Sequence, residues 1–135
     1  MFVLDTNVVS ELRKARADRN VTAWASALPA ASLYISVITV LELELGIRLL
    51  ERRDPKQGAM MRAWMDGHLR TTFAGRVLPV DTAVAVECAR LHVPDRRAER
   101  DALIAATALV HRMKLVTRNV ADFQHMGVDL VNPWE

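Results

Sequence analysis

A single cysteine, Cys88, excludes a disulfide framework within one chain. It lies in the apolar segment Ala83–Ala89, which reads as a small buried thiol in a reducing compartment. No apolar run approaches the roughly 20 residues of a membrane-spanning helix. The N-terminus lacks a basic region and places Asp5 where a secretory signal would need its apolar core, so a cytoplasmic protein without membrane attachment is expected. The four histidines, His68, His92, His111 and His125, are scattered without metal-ligand spacing, which argues against zinc. No Ser-His or Cys-His arrangement supplies a nucleophile with its base. Lysine is scarce, with only Lys14, Lys56 and Lys114, so the positive charge is mostly guanidinium, a group suited to phosphate. The net charge of +2 does not by itself announce a nucleic-acid binder. Two divalent cations held by four acids would raise the effective charge to about +6.

No repeat, low-complexity tract or linker divides the chain, and 135 residues suffice for one domain, residues 1–135, to bury a core. Phe2, Val3 and Leu4 read as a short buried strand, with Thr6 or Asn7 as cap of the helix begun by Val8 and Val9. Asp5 therefore stands where a strand ends and a helix starts. In open parallel sheets the ligand crevice lies beyond the carboxyl ends of the strands, so this acid either faces a site or merely caps the helix.

Further along, Val21, Trp24, Ala25 and Leu28 keep helical spacing up to Pro29, and Leu33–Ile35 is a second strand. Ser36 caps a long helix reaching about Arg53. The break at Asp54-Pro55 opens another helix through Met60, Met61, Trp64, Met65 and Leu69, and the two helices form a hairpin. Arg76–Val80 is a third strand, and Asp81 caps a helix to about His92. A polar loop, Pro94–Arg97, precedes the apolar helix Asp101–Val110 and the strand Leu115–Thr117. A short helix after Asn119 and the strand Val128–Val131 complete the chain. Strands alternating with helices predict a three-layer α/β/α sandwich on a central parallel, Rossmann-like sheet.

Four acids lack an easy local partner. Glu44 has Arg48 one helical turn on, but Glu42 shares its face with Ile38, Leu45, Gly46 and Leu49, and only Thr39 is polar there. A carboxylate on an apolar face is costly unless paired, protonated or bound to a cation; a distant ion pair and a ligand role both fit. Gly46 within a helix marks a close approach by another group. Asp101 opens a helix whose remaining face is apolar and could serve its dipole. Asn119 with Asp122 three residues on resembles a capping arrangement. Yet Asp5 and Asp122 both follow strand ends that a parallel sheet brings to one edge. Carboxylates about 4 Å apart repel by roughly 4 kcal/mol at an effective dielectric near 20, so converging acids need a cation. Oxygen ligands alone select a hard metal, Mg2+ or Mn2+.

Four segments carry a family resemblance: Phe2–Asn7, Ser36–Gly46, Asp101–Ala108 and Thr117–Phe123, with Asn132-Pro133-Trp134 at the end. In order and over essentially the whole chain, they resemble PIN-domain ribonucleases, and more narrowly the VapC-type toxins of type II toxin-antitoxin modules. The resemblance implies a PIN-like parallel sheet and an acidic cluster of Asp5, Glu42, Asp101 and Asp122, with Asp5 and Asp101 the firmest metal ligands. Thr6 and Asn119 would be supporting polar groups, and Asn119 could share the role of Asp122. It further implies dependence on Mg2+ or Mn2+, a homodimer, and a cognate antitoxin that holds the toxin inactive, with hetero-oligomers of the two.

The expected reaction is hydrolysis of an RNA phosphodiester through metal-activated water, leaving a 5′-phosphate and a 3′-hydroxyl. Arg96, Arg97, Arg100 and Arg118 are candidate phosphate contacts, or simply a solvated face. Met60, Met61, Trp64 and Met65 read as core packing or as an antitoxin or dimer surface. Two rival readings are a PIN-like RNA-binding or regulatory module without catalysis, and a phosphatase using Asp5 as nucleophile. The second would want an acid at the position of Asn7.

Overall fold

A computed structural model describes residues 1–135. Five strands, β1 (Phe2–Leu4), β2 (Leu33–Ser36), β3 (Val77–Leu78), β4 (Lys114–Val116) and β5 (Leu130–Val131), form one sheet in the order β3-β2-β1-β4-β5. Every pairing is parallel, and Val3 stands between Tyr34 and Leu115. Eight helices connect and cover them: α1 (Thr6–Arg13), α2 (Arg19–Ser26), α3 (Val37–Arg53), α4 (Pro55–Trp64), α5 (Arg70–Thr72), α6 (Thr82–Leu91), α7 (Glu99–Val110) and α8 (Val120–Phe123).

Alternation along the strands divides the core into two. Val3 and Leu115 point to one cluster, with Ile104, Ala105 and Ala108 of α7 and Val84 and Cys88 of α6. Leu4, Ile35 and Val116 point to the other, with Val8 and Val9 of α1 and Leu43 and Ile47 of α3. A sheet apolar on both faces must be covered on both, and the expected three-layer α/β/α sandwich is what forms. No helix is long and apolar enough to cross a membrane.

The helix starts follow the sequence reading except at two places. Ser36 Oγ accepts from Ile38 N at 3.0 Å, Asp81 caps α6, and Asp54 caps α4 with Pro55 in its first turn. The cap of α1 is Asp5, one of the two roles open to that acid, rather than Thr6 or Asn7: the chain leaves β1 in extended conformation and turns helical at Thr6, two residues before Val8. Helix α7 begins at Glu99, two residues before Asp101, and Ala98 at its cap position offers no side-chain acceptor. Strand β3 is also shorter than expected, since Pro79 has no N–H to continue the ladder.

Helices α3 and α4 form the expected hairpin, held by a residue the sequence reading left aside. Arg62 Nη1 donates to both Glu44 oxygens at 2.8 Å and Nη2 to Glu51 Oε1 at 3.2 Å. The expected Glu44–Arg48 pair is present at 3.2 Å, but Arg62 is the stronger partner and holds the Glu44 carboxyl below its ordinary range. The Met-rich segment divides by burial: Met65 is fully buried, Met61 and Trp64 pack against the second core cluster, and Met60 is exposed. Beyond Trp64 a π-helical turn, Met65–Leu69, leads into α5.

Candidate active site

Asp5 leaves the central strand at its carboxyl end, and its backbone N–H donates to Val116 O at 2.8 Å, so the position is fixed by the β1–β4 ladder. Its side chain is 6 % exposed, with Oδ1 accepting from Thr6 N at 2.8 Å and Oδ2 from Thr117 Oγ1 at 2.8 Å. The cap and the site are thus the same carboxylate, one oxygen serving the helix. Burial raises the Asp5 pKa against those hydrogen bonds, and the Glu42 and Asp122 carboxylates raise it further.

Glu42 comes from the second turn of α3, which starts directly after β2. Thr6 Oγ1 donates to Glu42 Oε1 at 2.7 Å. The fully buried Thr39 hydroxyl lies 3.1 Å from that of Thr6, so Thr39, Thr6 and Glu42 form one hydrogen-bonded chain. Two expectations fail here. Ile38 and Thr39 are buried on that face, but Leu45 and Leu49 are 41 % and 59 % exposed, so beyond Glu42 the face opens to solvent rather than into the core. Gly46 has no atom within 4 Å of where a Cβ would stand, so nothing approaches it closely. The distant ion pair does exist, in a loose form: Arg100 Nη1 stands 3.8 Å from Glu42 Oε2.

Asp101 lies in the first turn of α7, makes no capping hydrogen bond, and lines the same cleft as Asp5 and Glu42. Its pKa is raised to about 6, first by burial and then by Asp5, Asp122 and Glu42. Asp122 in α8 is exposed and lies outside the cleft wall, yet it acts electrostatically on both Asp5 and Asp101. The expected Asn119–Asp122 capping arrangement is absent: Asn119 occupies the cap position without a side-chain bond, and its amide lines the cleft. Asn119 N donates to Thr117 Oγ1 at 3.0 Å.

The cleft has a volume of about 470 Å3 and a single hydrophobic wall residue, Trp134. Of the four arginines expected at phosphate, Arg118 lines it and Arg100 reaches Glu42; Arg96 and Arg97 stand apart in the α6–α7 loop. Lys14 joins Arg118 as a basic group of the wall. Thr117, Thr39 and Lys14 had no assigned role in the sequence reading. Thr117 could have been found, since it follows β4 as Asp5 follows β1, on adjacent strands. Lys14 and Trp134 could not, because only the folded chain carries them to the cleft.

The histidines need one correction. Cys88, His92 and Glu99 converge away from the cleft, their ligand-type atoms all within 4.8 Å of one another, so His92 is not isolated from other ligand types. Its Nδ1 accepts from Arg97 N at 3.0 Å, which leaves the ring proton on Nε2, 3.3 Å from Glu99 Oε2.

In the acidic cleft the donor set does fit a hard divalent cation. Buried or half-buried carboxylates from the end of β1, from α3 and from α7 converge; Glu42 raises the pKa of Asp5, both raise that of Asp101, and Arg100, 3.8 Å from Glu42, is the one cation within ion-pair reach of them. Such an arrangement is unfavourable until a cation neutralises it.

A family model described as "PIN domain" matches residues 2–128. The VapC ribonuclease Y4jK of Sinorhizobium fredii is 39 % identical, covering 100 % of this chain and 99 % of its own. The crystal structure of FitAcB from Neisseria gonorrhoeae superposes with a TM-score of 0.91 at 35 % identity, covering 100 % of this chain and 99 % of that one. A toxin-antitoxin complex from Klebsiella pneumoniae gives 0.71 at 27 % identity, again over 100 % and 99 %. Matched along nearly its whole length by sequence and by fold, and with its acids gathered at the carboxyl edge of the sheet, the chain belongs to the PIN-domain family.

Proposed function

We propose that this chain is the ribonuclease toxin of a toxin-antitoxin module, hydrolysing RNA phosphodiester bonds with a divalent cation. The observation that carries the reading is the convergence of Asp5, Glu42 and Asp101 on one polar cleft with Arg118 and Lys14 on its wall. The names of the relatives, a ribonuclease and a toxin-antitoxin complex, agree with it.

Asp5 and Asp101, with Glu42, would hold the cation, Mg2+ or Mn2+, and Asp122 would complete the set from α8, alone or with Asn119. When bound, such an ion supplies Lewis acidity toward a phosphoryl oxygen and a more acidic water. The chain's own groups fix the geometry. Thr117 and the Thr6 N–H aim the two Asp5 oxygens, and Thr6 orients Glu42 with Thr39 behind it. Arg118 and Lys14 would take the phosphates of the RNA on either side of the scissile bond. Water adds across the P–O3′ bond, leaving a 5′-phosphate and a 3′-hydroxyl. A cognate antitoxin would hold the toxin inactive, and the toxin would act as a homodimer within the hetero-oligomer of the two.

Expression of the chain alone and as its Asp5→Asn variant, followed by mapping of RNA 5′ ends, tests the reading. Asparagine keeps the helix cap and removes the charge. Growth arrest with new 5′-phosphate ends, lost in the variant, is the expected result. Unchanged RNA with folded, Mg2+-supplied protein and no antitoxin present would overturn it in favour of the non-catalytic module.

A further inference from the structure

Trp134 is the one apolar residue in a wall otherwise made of acids, amides, hydroxyls and bases. An indole of intermediate burial in such a place calls for a reason. It is held rather than left loose: Asn20 Nδ2 donates to Trp134 O at 2.9 Å, and Trp134 N donates to Asn132 Oδ1 at 3.0 Å. Part of its surface packs against the core cluster behind α1. The Arg118 guanidinium lies over the ring, 5.2 Å from the centroid. A guanidinium is planar, polar at its edge and able to stack, which are also the properties of a nucleobase.

We infer that Trp134 is a nucleobase-stacking residue: one base of a single-stranded RNA takes the place Arg118 now holds on the indole, and Arg118 turns to an adjacent phosphate. The inference rests on the ribonuclease reading for its choice of ligand. The polarity of the cleft favours RNA over an apolar peptide, since a peptide's side chains would meet one hydrophobic surface only. Stacking does not distinguish the bases strongly, so this subsite fixes register at the acids more than sequence. The Arg118 exchange also explains why a cation sits on an aromatic ring beside an acidic cluster that it does not contact: it keeps the indole covered until RNA arrives.

The test is a cycle between protein and ligand. Binding of an RNA of about ten nucleotides is measured on the Asp5→Asn protein with Mg2+, with and without Trp134→Ala, and with each base in turn replaced by an abasic nucleotide. Trp134→Ala should weaken binding roughly 5- to 150-fold, and Trp134→Phe should retain most of the affinity. At one position base removal should cost the Trp134 protein a similar factor and cost the alanine variant nothing more. Arg118→Ala should weaken binding to all these RNAs alike and lower the salt slope by about one. Additive losses at every position, or undiminished binding by a folded alanine variant, would overturn the assignment and leave the indole a structural or antitoxin-facing group. Absence of RNA binding by any form would overturn it as well. Cleavage by the native protein is followed separately, so additive losses with intact cleavage remove the subsite alone. Coupling without any cleavage removes the nuclease reading and keeps the subsite.

Discussion

Asp101 keeps its proton up to about pH 6 in the metal-free protein, because it is part-buried beside Asp5, Asp122 and Glu42. In the unfolded chain the same carboxyl titrates near the ordinary 3.8. The folded state therefore binds the extra proton between those values, and this group's contribution to stability is complete below pH 3.8 and lost as pH rises through about 6. Asp101→Asn removes that loss. Thermal melts of metal-free protein should find the variant close to the native protein at pH 4 and higher-melting at pH 7. Equal melting temperatures throughout would mean that neither burial nor the neighbouring carboxylates oppose the charge on Asp101. Asp101 also bears on what the sequence made legible. Its lack of a local ion-pair partner could be seen in Arg100 standing off its helical face. The closeness of Asp5 could not.

At the scale of elements, α3 and α4 offer a paired test on two glycines. A Cβ at Gly58 would stand 2.5 Å from Glu51 Cα, so alanine there must push the hairpin apart and strain the Arg62 clamp. Overpacking of this kind costs about 1–3 kcal/mol, more than the helix propensity gained. Gly46 has open space, and Gly46→Ala should stabilise by about 0.5–1 kcal/mol. Urea unfolding of the two variants should give opposite signs, and the same sign would refute the hairpin packing. Here the sequence pointed to the wrong glycine. Gly46 drew attention because Glu42 was one turn away, whereas the close approach comes from a helix whose crossing point no single-helix pattern contains.

For the molecule as a whole, the acids are the place where separate elements meet. Asp5 follows β1, Glu42 belongs to α3, and Asp101 to α7, each from a different part of the chain. A cation that binds them binds only the folded state. Mn2+ at one hundred times its Kd should add about 2.7 kcal/mol of stability and raise Tm by on the order of 10 °C. Calorimetry should find this gain absent from an Asp5→Asn, Asp101→Asn double variant. An equal gain in the double variant would place the cation elsewhere.

The sequence alone made legible the parallel α/β sandwich, the caps at Ser36 and Asp81, the helix start at Asp54-Pro55, and Asp5, Glu42 and Asp101 as acids in want of a partner, because periodicity, capping and unpaired charge are local signals carried by neighbouring residues. It placed the starts of α1 and α7 two residues late each and read a capping role into Asn119 and Asp122, since side-chain direction at a helix end depends on what the end meets. Which groups serve the acids follows from the packing of distant segments. The parallel β1–β4 ladder sets Thr117 against Asp5, β1 beside β2 sets Thr6 against Glu42, and the return of the chain past β5 brings Trp134 to the cleft. Those contacts join residues more than thirty positions apart, and distance along the chain erases the periodic signal by which a sequence can be read.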